Sequence, residues 1–195
     1  TKRHIPHPSH LADSQKMFGP IHKVSKAVAA SIPVDRSKTV ADLADDIIFY
    51  RDLDIDMIGM GPYVVHDNTP LGQKVVAAGL DTKAEQQRRL ELSLKMIAVT
   101  RLFLKDVNIA ATTALQALHP LGREMGLKAG ANVLMPVATL PEFRTSYLLY
   151  DNKPCVADSA TKCRDCLDAR IAAVGDQVGY GAWGDSRHFY KKQKK

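Results

Sequence analysis

Two hydrophobic spacings alternate along the chain. After Thr39, the residues Val40, Leu43, Ile47 and Ile48 fall on one face of a 3.6-residue repeat, which predicts a helix ending near Asp52. Asp42, three places after Thr39, completes a capping-box variant at its start. I-D-M-I-G-M-G-P, residues 55–62, is a short apolar run stopped by glycine and proline, and it predicts a buried strand. From about Lys83 to Leu104 the helical spacing returns. Leu90, Leu94, Ile97 and the stem of Arg101 share one face there, with Met96, Val99 and Phe103 beside it. V-N-I-A-A-T-T-A, residues 107–114, predicts a second strand. Residues 120–129 predict a short helix with Pro120 at its start and Gly130 as its stop. A-N-V-L-M-P, residues 131–136, predicts a third strand. Helices are expected from Pro141 to Tyr150 and from about Cys163 to Val174, the latter closed by Gly175. Upstream, residues 1–19 read as loop, and Ile21, Val24 and Val28 give residues 21–31 one helical face.

Strands separated by helices, with no hairpin turns between them, form βαβ units and a parallel sheet. The fold class expected is therefore α/β. A parallel sheet needs cover on both faces, and three βα units bury only part of that surface. They suit one side of an eight-stranded (β/α) barrel, which typically takes about 250 residues. The chain, at 195 residues, reads as the later part of such a barrel with a cysteine-rich carboxy-terminal extension. An open part-barrel exposes strand edges, so poor solubility or dimerisation is expected.

Composition narrows the function classes. Hydrophobic residues at 45% and charged residues at 25% describe an ordinary globular protein. There is no run of 18 apolar residues, so no membrane-spanning helix is expected. The opening residues TKRHIPHPSH carry no apolar stretch of the signal-peptide kind. Three cysteines do not describe a disulfide framework, and a reducing compartment is expected. The net charge of +6 raises nucleic acid as a partner, but the charge is uneven. Residues 1–38 and 187–195 carry +5 each, while 39–186 carry −4. A nucleic-acid partner is therefore not expected, and KKQKK at 191–195 reads as a solvated terminus. His4, His7 and His10 are separated by prolines and read as an exposed irregular segment rather than a metal site.

In parallel barrels the chemistry lies at the carboxyl ends of the strands. The first such end holds Gly59, Met60, Gly61 and Pro62, where a missing Cβ serves either close ligand approach or a tight corner. The second holds Thr112 and Thr113, whose hydroxyls and backbone N–H groups suit an anion, or else reflect strand propensity. The third holds Met135, and a methionine at a strand end is usually core filler. Paired acids such as Asp45 and Asp46 read as solvated helix faces. No Walker loop, H-E-x-x-H or G-x-G-x-x-G is present. All three cysteines, Cys155, Cys163 and Cys166, form C-x7-C-x2-C, whose spacing suits Zn²⁺ or an iron–sulfur cluster, with unligated thiols as the remaining reading.

These segments together resemble one family. D-I-D-M-I-G-M-G-P-Y-V-V-H-D-N-T-P-L, N-I-A-A-T-T-A-L, G-R-E-M-G-L-K-A-G-A-N-V-L-M-P, the Tyr147/Tyr150 pair and the cysteine trio resemble the carboxy-terminal half of the HydE family. These are radical S-adenosylmethionine maturases of [FeFe]-hydrogenase, within the biotin-synthase-like superfamily. The resemblance covers about residues 39–190 and implies roughly strands six to eight of a (β/α)8 barrel. It implies that Gly59, Met60, Gly61 and Pro62 meet the adenine part of S-adenosylmethionine. It also implies that Thr112, Thr113, Met135, Tyr147 and Tyr150 line a substrate cavity. Cys155, Cys163 and Cys166 match an accessory cluster site of some members, with Zn²⁺ as the alternative.

The family's C-x3-C-x2-C motif, which holds the [4Fe–4S] cluster that cleaves S-adenosylmethionine, is absent from this sequence. The match also fails upstream of residue 39. The expected organisation is an irregular basic segment 1–38, barrel residues 39–150, and a cluster-binding extension with a basic tail, 151–195. The expected function is that of the carboxy-terminal portion of a maturase that helps build the di-iron cofactor, inactive alone. The alternative is a non-catalytic half-barrel assembly module with an iron–sulfur or zinc site. The resemblance implies a small-molecule substrate of the iron–cysteine precursor kind, and other maturation proteins as partners. It places the protein in the cytoplasm, or in a plastid stroma or hydrogenosome of a eukaryote.

Overall fold

A computed structural model of the chain describes residues 27–32, 38–136, 139–144, 146, 160–182 and 184–194. Strand β1 spans Ala27–Ile32 and helix α1 spans Val40–Asp52. Strand β2 spans Met57–Pro62, followed by α2 (Pro70–Ala77) and α3 (Lys83–Leu104). Strand β3 spans Asn108–Ala111, followed by α4 (Thr113–Leu118) and α5 (Gly122–Lys128). The remaining helices are α6 (Pro141–Arg144), α7 (Ala160–Ala173) and α8 (Arg187–Gln193).

The strands form one parallel sheet in the order β1-β2-β3. In register, Ala30 lies beside Met60, and Met60 beside Ala111. Sequence order equals spatial order, as in a sheet wound in one direction. This bears out the expected parallel α/β arrangement.

The strand β1 corrects the helix expected at 21–31. Ile21, Val24 and Val28 fit a helical face, but AVAASI is also a short apolar run that periodicity alone cannot assign. Six residues of β1 pair with β2, and this pairing decides the backbone's state.

The third expected strand, 131–136, is reduced to a single bridge between Val133 and Ala110. The Asn132 side chain explains part of this. Its Oδ1 accepts from Ile109 N–H at 2.8 Å, taking a rung that a backbone carbonyl would otherwise fill. Asn132 Nδ2 donates to Asn108 Oδ1 at 2.9 Å, and Arg101 Nη2 donates to Asn132 Oδ1 at 2.8 Å. Pro136 then has no N–H to continue the ladder. Arg101 also gives hydrogen bonds to the carbonyls of Gly130, Lys105 and Val107. Its head, and not only its stem, is thus structural.

The helices start where their caps dictate. Thr39 and Asp42 make the reciprocal capping box of α1. Thr82 caps α3 through Glu85 N–H at 3.2 Å. Thr69 caps α2, whose first residue is Pro70. Gly130 and Gly175, with φ of 117° and 88°, stand just past α5 and α7, where a left-handed residue ends a helix.

One core lies between sheet and helices. Leu43, Ile47 and Tyr50 of α1 and Leu90, Met96 and Ile97 of α3 pack with Ile58 and Met60 of β2 and Ile109 of β3. Along β2 the side chains alternate, so Met57 points to the other face, where Gly59 presents only backbone. Val40 and Ile48, expected on the inner stripe of α1, are exposed instead, and Tyr50 takes the buried place. Asp45 is exposed, whereas Asp46 is half-buried and paired with Lys38. No helix among the described residues is long and apolar enough to cross a membrane.

Candidate functional site at the carboxyl ends of β2 and β3

Because β2 and β3 are parallel and adjacent, their carboxyl ends meet at one edge of the sheet. This brings Gly59–Pro62 beside Thr112 and Thr113. The contact is direct. Thr112 Oγ1 donates to the Met60 carbonyl at 3.3 Å. A Cβ placed on Gly61 would lie 2.4 Å from Thr112 Oγ1. Glycine at 61 is therefore what lets the hydroxyl of Thr112 sit against β2.

Thr112 occupies the N-cap position of α4, in extended backbone, yet its hydroxyl makes no capping bond. It is aimed instead at β2. Thr113 was expected within a strand running to residue 114, but it is the first residue of α4. The strand ends earlier because Thr112 already begins the turn, with Leu115 N–H donating to the Thr112 carbonyl at 3.2 Å. Thr112 and Thr113 are both half-buried.

The chain leaving β2 is held firmly. Arg89 of α3 is fully buried, and its guanidinium donates to the Tyr63 carbonyl and to Asp81. Gln86 Nε2 donates to the same Asp81 carboxylate at 3.0 Å. Tyr63 packs on Val65 and Val75, a small second core under the loop. Thr69 Oγ1 donates to the His66 carbonyl at 2.8 Å and accepts from Gly72 N–H at 3.0 Å. A Cβ at Gly72 would fall 1.9 Å from the His66 carbonyl oxygen, so the turn into α2 requires glycine there. Neither α2 nor the Arg89 anchor was read from the sequence. The Thr69-Pro70 pair was the available signal for α2.

The third expected element of the site is only partly here. Leu134 packs on the core and Met135 is 54% exposed. Tyr147 and Tyr150 lie outside the described residues, as do Cys155 and His4, His7 and His10. Cys163 and Cys166 both belong to α7. Cys166 is an exposed free thiol. Arg170, also on α7, donates to Glu124 Oε1 at 2.6 Å and to the Pro120 carbonyl at 3.1 Å, which docks α7 on α5. Among the described residues, no group of three His, Cys, Asp or Glu side chains is arranged to hold a metal ion.

The basic tail is not a frayed terminus over its described residues. Residues 187–193 form α8, and Lys191 and Lys192 pair with acids at the opposite edge of the sheet from the candidate site. Those contacts span up to 138 residues of sequence, which is why local charge counting misses them.

The chain matches no protein-family model. Over 154 residues it is 38% identical to the [FeFe] hydrogenase maturase subunit HydE of Thermotoga maritima. The match covers 79% of this chain and 41% of that protein, so the chain spans less than half the length of the curated relative. The likeness first read from the strand-end motifs thus extends over most of the sequence, and over those 154 residues the chain is a relative of HydE.

Proposed function

We propose that this chain is the carboxy-terminal portion of a HydE-like radical S-adenosylmethionine maturase, contributing to assembly of the di-iron cofactor of [FeFe]-hydrogenase. The observation that carries the reading is the convergence of the Gly59–Pro62 and Thr112–Thr113 segments at one edge of a parallel sheet. The 38% identity to HydE supports it. The proposed architecture is an arc of a (β/α)8 barrel, with the β1 edge facing the missing strands.

The residues fit a polar small molecule. Gly61 and Pro62 offer backbone at the strand end, and two half-buried threonine hydroxyls stand beside them. The space on the Cβ side of Gly61 is taken by Thr112, so a ligand there meets the Thr112 side chain. In this reading Gly59, Met60, Gly61 and Pro62 hold the adenine portion of S-adenosylmethionine. Thr112, Thr113, Met135, Tyr147 and Tyr150 face the substrate. When bound and reduced by an iron–sulfur cluster, S-adenosylmethionine supplies a 5′-deoxyadenosyl radical.

The residues do not fit that reducing cluster. It needs the thiolates of C-x3-C-x2-C, and the cysteines here stand at 155, 163 and 166. The cluster is assigned to the part of the maturase outside this chain, and this chain's role is to bind and orient. Cys155, Cys163 and Cys166 are proposed to hold an accessory iron–sulfur cluster, with Zn²⁺ as the alternative. A second reading, a non-catalytic assembly module, is favoured by the edge position of β1 in the sheet among the described residues.

The test is complementation in a host lacking its maturase. The chain joined in frame after the amino-terminal portion of the Thermotoga maritima protein should restore hydrogen evolution. The chain alone should not. A soluble fusion that binds its amino-terminal cluster yet cleaves no S-adenosylmethionine would overturn the maturase reading in favour of the module.

A further inference from the structure

Helix α8 lies against three acids that precede β2 and β3 at the amino-terminal edge of the sheet. Lys192 Nζ stands 2.7 Å from Asp56 and 3.4 Å from Asp54, and it donates to the Asp54 carbonyl at 2.9 Å. Lys191 Nζ stands 2.7 Å from Asp106. The His188 ring contacts Asp54 at 2.7 Å and Asp106 at 3.2 Å. Two further contacts fix the segment: His188 N–H to the Asp106 carbonyl at 3.1 Å, and Asn108 Nδ2 to the Gly184 carbonyl at 2.8 Å.

These pairs differ in one respect. The Lys191 side chain is 69% exposed and the Asp54 side chain 52%, whereas Asp56 is fully buried. Exposed ion pairs contribute little and are screened by salt. A buried carboxylate deprived of a cation is costly. Seven residues are also too few for a helix that is stable in water by itself. An undocked α8 therefore loses its helical hydrogen bonds, and its amides report docking directly.

We propose that α8 is an electrostatic latch across the amino-terminal edge of the sheet, closed chiefly by Lys192 on Asp56. Its occupant is this chain's own basic segment, so the acids of the edge and the bases of the tail form one interaction surface.

The experiment is amide hydrogen exchange on the full chain, followed by mass spectrometry. Lys192→Met keeps the stem and removes the charge. It should speed exchange across residues 187–193 and 54–58 by at least about tenfold. Lys191→Met should change the same segments by no more than roughly threefold. Wild type in about 1 M salt should stay close to the Lys191→Met pattern, because salt screens the exposed pairs far more than the buried one. Equal effects of the two variants would overturn the proposal, as would a wild-type α8 that exchanges at the unprotected rate in low salt. If Lys192→Met unfolds the whole chain, the paired variant Asp56→Asn with Lys192→Met removes both charges. That pair should restore protection of β2 while α8 stays open; failure to restore it counts against the latch.

Discussion

Gly61→Ala separates packing from ligand approach as the reason for glycine at the end of β2. The backbone at Gly61 is not in the left-handed region, so alanine is conformationally allowed there. On backbone entropy alone the substitution should stabilise the chain by about 0.4–1 kcal/mol. The new methyl, however, would stand 2.4 Å from Thr112 Oγ1. Relief requires either a shift of the strand end, at about 1–3 kcal/mol, or rotation of Thr112 off the Met60 carbonyl, at about 1 kcal/mol. The net expectation is a loss of about 1–2 kcal/mol. Thr112→Ala removes the obstructing oxygen and one long hydrogen bond, and should itself cost about 0.5–1 kcal/mol. In that background the nearest atoms to the new methyl are the Ala114 Cβ at 3.5 Å and the residue 112 Cβ at 3.7 Å, both ordinary contacts. Gly61→Ala should then be neutral or slightly stabilising. Urea unfolding of the four proteins of this cycle should give a coupling of about 1–2 kcal/mol. A Gly61→Ala penalty of equal size in both backgrounds would refute the packing account. A stabilised single variant would refute it as well, and would return Gly61 to a purely ligand-facing role.

Two other glycines should fail for different reasons. Gly122→Ala puts a methyl 2.0 Å from the Leu115 carbonyl oxygen, where only backbone can give way, and should cost about 3 kcal/mol or more in urea unfolding. Gly79→Ala meets nothing within 4 Å but sits at φ +61°, and should cost about 1–2 kcal/mol in the same assay. Arg89→Met should cost about 3–5 kcal/mol and open the loop at residues 63–69 to limited proteolysis, because it releases the Tyr63 carbonyl and Asp81. For pH, burial pushes Asp54 and Asp106 up, but hydrogen bonds and charge from His188, Lys191 and Lys192 outweigh it, and both carboxyls lie below the usual range. Their stabilisation is therefore complete above the unfolded value of about 3.9 and is lost as pH falls through the folded values. Thermal unfolding of wild type should weaken more steeply below about pH 4 than that of Asp106→Asn, and superimposable profiles would refute the pairing.

What the sequence displayed and what it hid divide by distance along the chain. The helices α1 and α3 were legible because their signals are local: Thr39 with Asp42, and a face of Leu90, Leu94 and Ile97. The strands β2 and β3 were legible as short apolar runs between punctuation. Their adjacency, and so the meeting of Gly61 with Thr112, followed from the alternation of helix and strand. AVAASI was ambiguous because only its partner strand makes it a strand. The segment 131–136 was overestimated because nothing local reveals that Asn132 spends its side chain on a rung of the ladder. The basic tail was misjudged because its partners, Asp54, Asp56 and Asp106, lie far upstream. Of the expected site, the strand ends of β2 and β3 come together, while Tyr147, Tyr150 and Cys155 fall outside the described residues.

The pairing of Lys192 with Asp56 also has a consequence for biosynthesis. The carboxylate belongs to the entry into β2, but its cation is encoded more than a hundred residues later, 138 positions beyond Asp54. While the chain is being made, β2 and β3 can leave the ribosome and pair long before Lys192 exists. Through that interval the nascent sheet carries an acid at its edge without this counter-charge. A product broken off before α8 would keep Asp56 without that counter-charge, so this end of the sheet is completed only when the basic helix has been made.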